Sequence, residues 1–138
     1  MTRTAWWARA AIASVVLLAA IPPAAAAQAD TSSRDSLLVS DDEYQGWKWF
    51  HVYCYRCHGT DAFGGQLAAD LRRSVSPQGS VTREVFMTTV REGRPQKGMM
   101  GWSQLLDDKQ IAQLYAYVKA RSDGRLAAGR PHRATDQP

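Results

Sequence analysis

Between Ser40 and Cys54 the apolar and aromatic positions Tyr44, Trp47, Phe50 and His51 recur at intervals of three and four, the repeat of a single helix face. Ser40 and Glu43 stand three apart as a capping box, and Asp41 and Asp42 fill the first turn, where carboxylates oppose the helix dipole. A helix is therefore predicted from Ser40 toward Cys54. A second begins at Ser80 or Thr82, carries Val85, Phe86, Thr89 and Val90 on its inner stripe and stops at Gly93. A third starts at Asp107, with Gln110 as capping partner, and turns Ile111, Leu114, Tyr115 and Val118 inward. No segment alternates as a strand does, so the fold class is all-α. The pattern predicts one domain over 40–121, a polar flexible leader over 28–39, and a flexible tail over 122–138 in which glycine, proline and arginine dominate.

A different pattern occupies the N-terminus. Residues 1–27 hold two arginines, Arg3 and Arg9, then an apolar run from Ala10 to Ile21, then alanines that offer cleavage after Ala27 or, one step on, after Ala29. This is a signal peptide, and it predicts export to the periplasm. The run is about a dozen residues, short of the roughly 20 a spanning helix needs, and Pro22-Pro23 ends it, so no stable membrane insertion is expected. What remains, about 110 residues, has a core small for independent folding. A monomer is expected.

Charge changes the picture little. The chain carries 17 Lys and Arg against 13 Asp and Glu, and loss of Arg3 and Arg9 with the signal leaves 15 against 13. A nearly neutral chain offers no electrostatic case for nucleic acid.

One short motif fixes a chemistry. Cys54-Tyr55-Arg56-Cys57-His58 is a CxxCH sequence, in which each thiol can add across a haem vinyl group and the adjacent histidine becomes the proximal iron ligand. A zinc site needs four ligands, and the remaining histidines, His51 and His132, lack partners at zinc-finger spacing. A redox CxxC belongs in a βαβ setting, and a structural disulfide gains little by closing so short a loop. One covalent haem c is expected, supplying apolar mass the small core lacks.

With that motif in place, the chain resembles the small monohaem class I cytochromes c, over roughly Asp42 to Arg121. Gly46, Phe50 and Cys54 stand at that family's four-residue spacing, and Leu114 with Tyr117 match its leucine and tyrosine on the last helix. The resemblance implies three to five helices wrapped around one covalently attached haem, with the first and last helices crossing near a right angle. Lys97-Gly98-Met99-Met100-Gly101-Trp102 is similar to the family's methionine loop and implies Met99 as distal ligand, with Met100 in place of the usual proline as a competing thioether. Trp102 is expected against the haem, its indole N–H toward a propionate, whereas Met87 lies off its helix's apolar stripe. On the proximal side Leu67-Ala68-Ala69-Asp70-Leu71 stands where the family has a proline whose carbonyl accepts the imidazole N–H. The Ala69 carbonyl can still serve, since the acceptor is backbone. The site residues are thus Cys54, Cys57, His58, Met99 and Trp102, with His58 and Met99 as metal ligands.

Two axial protein ligands leave the iron no open position, so the resemblance implies a periplasmic single-electron carrier and not an enzyme. Tyr53 to Gly59, the methionine loop, Leu114 to Val118 and the Arg121 to Gly124 and Gly129 to Pro131 segments resemble cytochromes that accept electrons from quinoprotein (PQQ-dependent) alcohol dehydrogenases. The implied acceptor is a terminal oxidase or another cytochrome. The alternatives are a haem subunit docked in a membrane oxidase or dehydrogenase complex, and a peroxidase-like or gas-binding haem protein. Arg91, Arg94 and Lys97, just ahead of the methionine loop, form a candidate positive patch for an acidic partner.

Overall fold

The Ser40 hydroxyl accepts the Glu43 amide and the Glu43 carboxylate accepts the Ser40 amide at 2.9 Å, so the predicted capping box forms and opens α1 (Asp41–Tyr53). The computed structural model describes residues 37–136; the signal-peptide expectation at 1–27 and most of the leader lie outside them. Four further helices follow: α2 (Tyr55–His58), α3 (Leu71–Ser74), α4 (Arg83–Glu92) and α5 (Asp108–Ser122). Among the described residues no strand forms, and no helix is long and apolar enough to cross a membrane. The two shortest helices, α2 and α3, span barely one turn each and have no periodicity to reveal them in advance.

Among the described residues, α1 and α5 share the most extensive interface. A β-carbon on Gly46 would lie 1.9 Å from the Gln113 carbonyl oxygen and 2.9 Å from the Tyr117 β-carbon, so only glycine lets the two backbones meet. Phe50, Ile111, Tyr117 and Val118 are fully buried around that crossing. Polar side chains tie its edge: the Trp49 indole N–H donates to Gln113 Oε1 at 3.1 Å, and Gln113 Nε2 donates to Asp42 at 2.9 Å.

Thr82, not Ser80, caps α4 through the Val85 amide. Its inner face differs from the expected stripe by one position. Phe86, Met87 and Val90 are buried, while Val85 is 41% exposed. A ten-residue helix packed on α5 along one side and open to a cavity on another buries a wider arc than a single stripe, and Met87 falls inside it.

The largest departure is at the chain ends. Residues 123–136, expected to trail freely, lie against the domain. Leu126 and Pro131 are buried, the Leu126 carbonyl accepts from Arg121 Nη1 at 2.6 Å, and the Gly129 amide donates to both Asp61 carboxylate oxygens at 3.2 Å. The described end of the leader, residues 37–39, is caught as well, since Val39 donates to the His132 carbonyl at 3.1 Å and His132 donates to that of Leu37 at 3.0 Å. Arg130 and Arg133 sit over the Trp47 and Tyr44 rings. Single anchors at Leu126 and Pro131, with no repeat between them, leave no periodic signal, so composition alone misread this segment.

Candidate functional site

Cys54 ends α1 and begins α2, its amide donating back to Phe50 at 2.9 Å and its carbonyl accepting from Cys57 at 3.2 Å and His58 at 3.0 Å. One helical turn therefore separates Cys54 from His58 and sets both on the wall of the same cavity, with Cys57 exposed beside them. The two thiols are not joined to one another. Burial, with the neighbouring Cys57 adding to it, pushes the Cys54 thiol up to about 12, which holds it protonated.

His58 is oriented by the loop that follows. Its Nδ1 lies 3.0 Å from the Ala69 carbonyl, as expected of a proline-free version of this segment, which leaves Nε2 as the ring's other nitrogen. Gly64, at φ 81°, donates to the His58 carbonyl at 2.7 Å, and a β-carbon there would lie 2.6 Å from the Asp70 nitrogen. Gly64 is thus where the loop crosses itself, and Gly65, donating to Ala68 at 3.0 Å, completes the turn.

The cavity encloses about 310 Å³ and is overwhelmingly apolar. Phe50 and Leu114 come from the crossing helices, Leu67, Ala68 and Leu71 from the proximal loop, and Val81, Phe86 and Val90 from α4 and its approach. Met99 and Trp102 line the cavity from the 98–102 loop, whereas Met100 is 56% exposed and does not line it. That loop is pinned in shape: Arg94 and Met99 exchange backbone hydrogen bonds at 2.7 and 3.2 Å, and the Trp102 amide donates to Val90 at 2.9 Å. The Trp102 ring packs against Tyr53, centroids 5.3 Å apart.

Arg94 and Lys97 stand at the rim, with Arg94 Nη2 donating to Thr89 at 3.2 Å. Arg91 does not join them. Its Nε is 2.7 Å from Asp108, so the three-residue patch reduces to two. Sequence reasoning also missed Val81, Leu71 and the α4 face as cavity wall; the spacing of Phe86 and Val90 was the available signal, and it was read as core.

The donor set suits the expected group. A flat apolar macrocycle with two carboxylates and a central metal needs an apolar slot, cations for its edge and donor atoms for the metal, and this cavity is lined by the His58 imidazole, the Met99 thioether and the cations Arg94 and Lys97 among mostly apolar side chains. Zinc is poorly served: among the described residues no three His, Cys, Asp or Glu side chains gather.

Comparison with known proteins follows the same line. Residues 41–118 match the family described as cytochrome c oxidase, cbb3-type, subunit III. Cytochrome c55X of Stutzerimonas stutzeri is 38% identical over 61 residues, 44% of this chain and 51% of that protein. The quinohemoprotein alcohol dehydrogenase ADH-IIG of Pseudomonas putida is 29% identical over 77 residues, 56% of this chain and 10% of that one. The chain thus spans about half of the first relative and a tenth of the second. Among solved structures, the c-type cytochrome XoxG from Methylobacterium extorquens AM1 superposes with a TM-score of 0.60 at 25% identity, covering 72% of this chain and 62% of that one.

Proposed function

We propose that this chain, which belongs to the cytochrome c family matched over residues 41–118 and carries covalently bound haem c, is a periplasmic one-electron shuttle with His58 and Met99 as axial ligands. The observation that supports this reading is the cavity itself: Cys54, His58 and Met99 all line it, and the rest of its lining is mostly apolar.

Bound haem supplies an iron that changes oxidation state by one electron. The chain's residues do the rest. Cys54 and Cys57 would each hold the group through a thioether, and His58 would offer Nε2 to its iron while the Ala69 carbonyl keeps the proton on Nδ1. The Met99 thioether, soft and uncharged, favours the reduced state. Met99 is preferred to Met100 because Met100 points 56% of its surface to solvent. Phe50, Leu114, Phe86 and Val90 would exclude water from the bound group, which would limit the solvent reorganisation that accompanies each electron. Arg94 and Lys97 at the rim are placed to meet propionates, and Trp102 lines the same mouth. With His58 and Met99 both donating to the iron, electron transfer would be favoured over catalysis.

The donor we assign is a quinoprotein alcohol dehydrogenase, passing electrons through this chain to the respiratory chain. Support comes from the stretch shared with a quinohemoprotein alcohol dehydrogenase, in which a tenth of that enzyme aligns with 56% of this chain. A docked haem subunit of an oxidase is the second reading, favoured by the description of the matched family. Stopped-flow mixing of the oxidised holoprotein with a reduced PQQ-dependent alcohol dehydrogenase separates them. The shuttle reading expects rapid second-order reduction that slows with salt; reduction only after assembly into a stable complex would reject it.

A further inference from the structure

The carbonyl that meets the His58 imidazole belongs to a loop without proline, and side chains nearby supply the stiffness a ring would give. We propose that Asp70, held by Arg72, is the positioning residue for the proximal histidine: it fixes the Ala69 carbonyl against His58 Nδ1 and so sets how strongly the imidazole donates to iron. The inference rests on His58 being the ligand.

The peptide plane bearing the Ala69 carbonyl ends at the Asp70 nitrogen, so whatever holds Asp70 orients that oxygen. Asp70 caps α3, its Oδ1 accepting the Arg72 amide at 2.9 Å and the Arg73 amide at 3.3 Å. The same carboxylate takes the Arg72 guanidinium in a fork, Nε to Oδ1 at 3.2 Å and Nη2 to Oδ2 at 2.8 Å. The two side chains are 18% and 26% exposed, so this pair is more sheltered than a solvated surface bridge. Gly64 passes close to Asp70, since a β-carbon there would lie 2.6 Å from the Asp70 nitrogen. Arg72 is itself anchored, with its guanidinium carbon 3.4 Å from the Phe63 ring centre and its carbonyl accepting from Ser122 Oγ at 2.6 Å. An unbroken series of contacts therefore runs from the end of α5 through Arg72 and Asp70 to Ala69 and the imidazole.

A hydrogen bond from Nδ1–H to a carbonyl makes the imidazole a stronger donor, which favours oxidised iron. Loosening the brace should weaken that bond and raise the midpoint potential. Direct electrostatics makes a different prediction, because removing the Arg72 charge should lower the potential while removing that of Asp70 should raise it.

The test uses holoprotein carrying Asp70→Ala, Asp70→Asn and Arg72→Gln, with midpoint potential and the water-exchange rate of the His58 Nδ1 proton, read by NMR in the ferrous state, as observables. The brace predicts faster exchange and a higher potential in both Asp70→Ala and Arg72→Gln. For Asp70→Ala the reduced-to-oxidised ratio should rise by up to about tenfold, the scale on which loss of an outer partner alters a ligating histidine's site, or roughly 59 mV for one electron. Asp70→Asn, which keeps a capping oxygen, should fall between. A lower potential in Arg72→Gln, or unchanged exchange in Asp70→Ala, would overturn the inference. So would a loss of thermal stability without a change in potential, the behaviour expected of the control Asp107→Ala, which uncaps α5 away from the cavity. Failure of the ligation itself would show earlier, as a wild-type ferrous spectrum with no iron-shifted His58 ring proton.

Discussion

The two sides of the domain are held in different ways. At the back, where α1 crosses α5, apolar side chains cover one another: Phe50, Ile111, Tyr117 and Val118 are fully buried, and the 123–136 segment closes over the crossing. At the front, apolar side chains surround space. Leu67 is 77% exposed, and Val81, Met99 and Trp102 are only half-buried along the cavity. The back is satisfied by protein contacts, whereas the front is arranged for a group that completes its burial. The functional residues sit where the two meet, since Cys54 and His58 follow directly from α1 and inherit its placement.

The sharpest way to break this contrast is to remove the attachment. Cys54→Ser and Cys57→Ser should each impair haem attachment, and His58→Ala should give little folded holoprotein, read by pyridine haemochrome spectrum and intact mass. In any protein recovered without haem, amide exchange should accelerate across 63–82 and 93–103 well before it does in α1 and α5. Equal loss on both sides would show that the back is not self-sufficient.

Substitution within the back should cost stability without touching the iron. Leu126→Ala deletes a side chain only 2% exposed, and comparable deletions cost about 2–5 kcal/mol. Gly46→Ala forces a β-carbon onto the Gln113 carbonyl, where only separation of the helices relieves the clash, at about 1–3 kcal/mol or more. Thermal unfolding should register both losses, and the haem spectrum of the native state should change in neither. If Leu126→Ala proved neutral, the 123–136 segment would be a loose covering and not part of the core.

These sides were unequally legible in the chain. Helix repeats and capping boxes at Ser40 and Asp107 disclosed the back, because packing against another helix imposes a period. The CxxCH and methionine-loop motifs disclosed the front, because haem chemistry fixes residue types at fixed spacing. Two kinds of contact had neither signal. Arg91 pairs with an acid 17 positions away, and the Asp61 carboxylate, buried just after the haem motif, receives the Gly129 amide from 68 positions on. Such non-local polar contacts leave no trace in local periodicity. The position of Met87 was lost for a related reason, since α4 serves two neighbours and a single-stripe reading allows one.

On the front itself, Met99→Ala should abolish the weak far-red methionine-to-iron charge-transfer band of the oxidised protein and lower the potential. Met100→Ala should retain the band. The reverse pattern would shift the ligand to Met100 and require the 94–99 bridge to open, because that bridge carries Met99 toward the cavity.

The smallest expected effect comes from a charge on the back. Burial pushes the Glu43 carboxyl up, but the Arg125 guanidinium and the Ser40 amide and hydroxyl outweigh it, leaving it below its ordinary 4.5. A carboxylate whose folded value is depressed adds stability above its unfolded value and loses it as pH falls through the folded one. Its side chain is 9% exposed while that of Arg125 is 56% exposed, so solvent screens the pair and the contribution should be about 1 kcal/mol. Glu43→Gln keeps an oxygen to accept the Ser40 amide but removes the charge. The variant should therefore be less stable than the wild type near neutral pH, and the gap, followed by chemical denaturation, should close progressively below pH 4.5 as the wild-type carboxylate takes up its proton. A gap that persists unchanged into strong acid would mean that Glu43 acts by shape and capping geometry alone. Because neither Glu43 nor Arg125 lines the cavity, the midpoint potential should stay where it is throughout, and a shift there would join the two sides that the fold holds apart.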